Sequence, residues 1–82
     1  MKKFYFAISS ANARKMAKEM KVSVEEFYRK FRWVLDLQAI PTLFSIHDYG
    51  CDVTMYCTSN QDGCYYAKEW GFHETDKYGI AI

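Results

Sequence analysis

Phe4, Phe6 and Ile8 alternate with Tyr5, Ala7 and Ser9. A period of two in aromatic and branched side chains predicts a strand over residues 2–9. The period then changes. Ala13, Met16, Ala17 and Met20 fall at i, i+3, i+4 and i+7, and Val24, Phe27, Tyr28, Phe31, Val34 and Leu35 continue that spacing. Residues 11–38 are therefore expected to be helical, with Ser9 or Ser10 as the N-cap. A single helix of 28 residues would be about 42 Å long, which is awkward for so short a chain. Ser23 and Glu26 form a capping-box pair, with Val22 placed as a hydrophobic staple. Two helices joined at residues 21–23 are the preferred reading.

Pro41 ends the helical stretch. Residues 42–48 alternate as a strand, with Phe44 and Ile46 opposite Leu43, Ser45 and His47, and Tyr49-Gly50 makes a turn. Residues 52–58 alternate again, with Val53, Met55 and Cys57 opposite Asp52, Thr54, Tyr56 and Thr58. Residues 59–63 are a loop by composition. Residues 64–70 read as a short helix closed by Gly71, or else as a strand. Tyr78, Ile80 and Ile82 alternate as a last strand.

The order β-α-α-β-β-α-β implies an α+β fold: a small antiparallel sheet of about four strands with helices packed on one face. Phe4, Phe6, Ile8, Phe44, Ile46, Val53, Met55, Ile80 and Ile82 are expected to face the helices. Tyr5, Leu43, His47, Tyr49 and Tyr56 would share the other face.

At 82 residues and half hydrophobic, the chain fits one globular domain over residues 1–82 and has no room for a nucleotide-binding doubly wound fold or a (β/α)₈ barrel. Charge is segregated. Residues 1–34 carry nine Lys and Arg against three Glu, and residues 35–82 carry two Lys against seven acids, or +6 and −5. Three cysteines is an odd count, which favours a reduced, cytoplasmic chain over a secreted disulfide framework. The N-terminal FYFAI run is five residues, shorter than a signal peptide requires. No run is long enough to span a membrane.

Candidate chemistry is sparse. His47, Cys51, Cys57, Cys64 and His73 cluster in sequence, but without the close Cys-x2–4-Cys pair that marks a zinc site. No metal or other cofactor is expected. No nucleophile elbow, phosphate loop or paired-carboxylate motif surrounds them, so no catalytic residue is assigned and the protein is read as a non-enzyme.

Residues 13–31 resemble a helix-turn-helix, with Ala17 at the helix contact and Met20, Val22, Phe27 and Phe31 at core positions. That resemblance implies nucleic-acid contacts from Arg14, Lys15, Lys18 and Lys21. Lys21 stands where the turn usually carries Gly, and Glu25-Glu26 opens the would-be recognition helix with acid.

On a helical wheel of about 100° per residue, Trp33 points directly away from Val24. Leu37 shares its side, flanked by Arg29 and Lys30, with Arg32 adjacent. Trp beside Leu and Arg away from the core is the composition of a binding hot spot. The expected function is therefore that of a small interaction protein, an inhibitor-like binder of the accessory kind that phages and mobile elements encode. Trp33, Leu37, Arg29, Lys30, Arg32, Tyr5, Tyr49 and Tyr56 are the candidate contacts. A protein partner is preferred over nucleic acid, a membrane is not expected, and self-association is compatible with the pattern. A nucleic-acid-binding regulator is the alternative.

Overall fold

The computed structural model describes residues 2–41, 45–48 and 52–82. The chain runs β1 (Phe4–Ser9), α1 (Ser10–Met20), α2 (Val24–Leu37), β2 (His47–Asp48), β3 (Val53–Thr58), α3 (Gln61–Glu69) and β4 (His73–Thr75). The sheet order is β2-β3-β1-β4, and every described pairing is antiparallel. The α+β class holds, but four full strands do not form. β3, β1 and β4 make the body of the sheet, and β2 adds two residues along the outer edge of β3. Residues 42–44 and 49–51, which the expected strand and turn included, lie outside the described residues.

The helical stretch is broken where the caps require it. Ser9 Oγ accepts from the Asn12 backbone N–H at 3.2 Å and opens α1. Ser23 Oγ accepts from the Glu26 N–H at 3.1 Å and opens α2. Only that half of the capping box forms, because the Glu26 carboxylate accepts from Arg29 at 2.7 Å instead of turning back to the cap. α3 begins earlier than composition implied. Asn60 Oδ1 accepts from the Asp62 N–H at 2.7 Å, which draws residues 61–63 out of the expected loop and into the helix.

All three helices cover the same side of the sheet. Phe6 and Ile8 on β1 are buried there with Phe27, Phe31 and Leu35 of α2, Ala13 and Ala17 of α1, and Ala67 of α3. Trp70 lies against both Phe27 and Phe31, with ring centroids at 5.5 Å and 5.6 Å. It thereby fills the space between α2 and the end of α3.

Two expectations about facing are overturned. β3 pairs with β1 in the register Phe4↔Thr58, Phe6↔Tyr56 and Ile8↔Thr54. Directly opposed residues share a face, so Thr54, Tyr56 and Thr58 face the helices, and Val53, Met55 and Cys57 face away. Tyr56 is the keystone. It is fully buried, 5.1 Å edge-on to Phe31 and 6.1 Å from Phe72. Thr54 is kept polar by a purpose of its own, since the Tyr28 hydroxyl donates to its Oγ1 at 3.0 Å.

The last strand also moves. β4 is His73–Thr75, and Tyr78, Ile80 and Ile82 are 72%, 65% and 85% exposed. Phe72 supplies the apolar anchor that Ile80 and Ile82 were expected to give, and Thr75 makes only an isolated bridge to Ala81. The chain after β4 turns back through Asp76, whose carboxylate accepts from the Tyr78 and Ile80 N–H groups at 2.8 Å and 3.0 Å.

Candidate interaction face

α2 is amphipathic by construction. Phe27, Phe31 and Leu35 are buried on one side, and Val24, Tyr28 and Val34 shoulder them, half-buried. A period of 3.6 then leaves Trp33 and Leu37 on the far side. Trp33 is 61% exposed and Leu37 60% exposed. No neighbouring segment among the described residues seals them.

Glu26, Arg29, Lys30 and Trp33 line a shallow groove along this face. Arg29 Nη1 donates to Glu26 Oε2 across one turn, an exposed pair that adds little stability but fixes the guanidinium beside the indole. Arg32 lies on the flank, where it lines a second open depression with Glu25, Tyr28, Arg29 and Ile46.

The expected contact set is therefore divided. Trp33, Leu37, Arg29 and Lys30 come together on one face, and Arg32 borders it. Tyr5 does not join them. It pairs with Cys57 on β3 and Thr75 on β4, and points to the side of the sheet away from the helices. Tyr56 is removed from the set, because its ring is enclosed in the core. Tyr49 lies outside the described residues.

A further exposed aromatic group, which no sequence pattern singles out, is Tyr65 on α3: it is 59% exposed and packs edge-on against Tyr66 at 5.2 Å. Its place in a run that could be helix or strand left its direction open.

Cys57 and Cys64 do not converge, and Cys51 lies outside the described residues. Cys57 lies on the side of the sheet away from the helices, whereas Cys64 sits on the buried side of α3. Among the described residues no group of three or more His, Cys, Asp or Glu is placed to hold a metal ion. Burial raises the Cys57 thiol above its ordinary range, with Lys3 pulling it back. Burial and then the Glu74 carboxylate raise Cys64, opposed by Lys68 and its own backbone N–H. Thiols shifted upward are protonated at neutral pH and are poor nucleophiles.

The nucleic-acid candidates Arg14, Lys15 and Lys18 stand exposed on α1, and Lys21 at the joint. The helical hairpin has the expected boundaries, but the exposed side chain at the start of α2 is Glu25. Among the described residues no helix is long and apolar enough to cross a membrane. No protein-family model matches this chain, and no curated protein or solved structure is significantly similar to it.

Proposed function

We propose that this chain is a small non-enzymatic interaction protein, inhibitor-like in action, that docks on a protein partner through the outer face of α2. One observation carries the reading: Trp33 and Leu37, one turn apart, are both about three-fifths exposed on a helix whose opposite side is already fully packed. An indole left in water has no folding role, yet it brings large contact area at little entropic cost when a partner covers it. Arg29 and Lys30 supply a polar border that excludes water from the indole and orients the encounter. The upward-shifted thiols and the open, shallow character of the groove support the non-catalytic part of the reading.

The experiment is Trp33→Ala in a chain immobilised for capture from lysate. Proteins retained by the wild type should be lost with the variant, at a cost of ~2 kcal/mol or more in binding. The thermal midpoint should stay within about 2 °C of wild type, since the side chain makes no core contact. An unchanged set of captured proteins, or a collapse in stability, would remove this face as the docking site.

A further inference from the structure

α1 carries a second surface, and its chemistry differs from that of α2. Arg14, Lys15 and Lys18 occupy the solvent side of the helix, opposite the buried Ala13 and Ala17, and Lys21 extends them at the C-cap. Residues 10–23 hold these four cations against one acid, Glu19, for a net +3. Over α2, residues 24–37, three cations meet three acids and the net charge is zero. The basic excess of the helical layer is therefore concentrated on α1 and the joint. Among the described residues none of the four is in an ion pair with a carboxylate. Glu25 and Asp52 line the groove beside Arg14, and Glu19 borders the stripe beyond Lys15.

We propose that this α1 face contacts the phosphate backbone of a nucleic-acid duplex, without reading its base sequence. Two features favour phosphate over an acidic protein. The face has no apolar anchor, since every exposed large hydrophobic side chain among the described residues lies elsewhere: Trp33, Leu37, Tyr65, Tyr78, Ile80 and Ile82. Protein interfaces are built around such anchors, whereas backbone contact needs only cations and released counterions. Charge density is the second feature. Arg14, Lys15, Lys18 and Lys21 lie within about 10 Å along the helix, at 1.5 Å per residue, and so dense a run of cations suits a polyanion that carries one charge on every nucleotide. The absence of an exposed aromatic ring on α1 disfavours single strands, which are held by stacking.

The contact also departs from a helix-turn-helix. α2 does not enter a groove, because its side towards the sheet is packed and its exposed first turn is acidic. Of the acids of residues 35–82, Asp52 lies beside Arg14, so the most attractive part of the stripe for a polyanion is its stretch from Lys15 to Lys21. The surface is distinct from the Trp33 face, and either could fail without the other.

The test is fluorescence anisotropy of the whole chain with a labelled duplex DNA of about 20 base pairs, titrated with salt. If all four cations engage phosphates, affinity should fall roughly 100-fold between about 50 and 200 mM salt, by the same factor for unrelated base sequences. The double variant Lys15→Glu, Lys18→Glu should lower the affinity at least tenfold and reduce the log–log salt slope by about two, with the helical circular dichroism and thermal midpoint of the wild type. Lys68→Gln, on the exposed side of α3, should leave both slope and affinity unchanged. No binding at about 50 mM salt would overturn the proposal, as would a salt slope untouched by the double variant. Poly-glutamate bound as tightly as the duplex would overturn it too, and assign the face to acidic proteins.

Discussion

At Gly63 the absence of a side chain is structural. A Cβ there would collide with Thr58 Oγ1 and lie 2.9 Å from the Tyr56 hydroxyl. Thr58 and Tyr56 are both fully buried on β3 and cannot retreat. Gly63→Ala should therefore lower stability by about 1–3 kcal/mol through overpacking, although alanine is the better helix former at an ordinary site. A urea midpoint equal to or above wild type would show that α3 can lift from β3. This packing also explains the error in the facing of β3. Val53, Met55 and Cys57 are more apolar than Thr54, Tyr56 and Thr58, so hydropathy alone assigns the core to the wrong side. Tyr56 is buried with its hydroxyl against Gly63, seven residues on, where the missing side chain makes room for it. No local pattern records that fit, whereas the partition of α2 into Phe27, Phe31 and Leu35 against Trp33 and Leu37 follows directly from helical spacing.

The three helices end in one way. Lys21, Ala39 and Gly71 each adopt positive φ, at 60°, 51° and 90°. In each case the following residue returns its N–H to the carbonyl five residues earlier: Val22 to Ala17, Ile40 to Leu35 and Phe72 to Ala67. These are Schellman closures, and each delivers an apolar residue to the core: Val22 and Ile40 partly buried, Phe72 buried. Only the third was visible as a closure in the sequence, because only it uses glycine. α2 was bounded instead by Pro41, and α1 by the capping pair that opens its successor. The left-handed conformation strains a residue with a Cβ, so Lys21→Gly should stabilise the protein by ~0.5–1 kcal/mol, read as a higher urea midpoint at unchanged slope. A lower midpoint would mean that the Lys21 side chain supports the joint in a way its backbone does not reveal. The short strands were less legible than the helices. β4 has three residues and is defined by its pairs with Tyr5, Phe6 and Ala7 rather than by any alternation of its own.

At the scale of the molecule, a sheet with helices on one side alone has a second face to protect. Ala7 and Met55 lie on that face, opposite one another in register, and are 0% and 4% exposed. Among the described residues no helix covers that face. The segment after β4 does: Gly79, at φ 86°, lies so close that a Cβ on it would be 3.2 Å from Met55 Sδ. Asp76 fixes the turn: its carboxylate accepts two backbone N–H groups and its own N–H donates to the Ile80 carbonyl, while the Ile82 N–H donates to the Glu74 carbonyl on β4. The tail thus works as a strap whose glycine and backbone cover the sheet, while Tyr78, Ile80 and Ile82 hang outward. This accounts for an apolar alternation that fails to mark a core strand. Removing residues 77–82 should uncover Met55 and lower stability by about 1–3 kcal/mol, the scale of exposing one large apolar side chain. Asp76→Ala should produce part of that loss, because it releases the turn but leaves the segment in place. If the shortened chain instead unfolds at the wild-type urea concentration, the strap contributes nothing to folding, and its three outward side chains would have to be explained by what they touch in a partner.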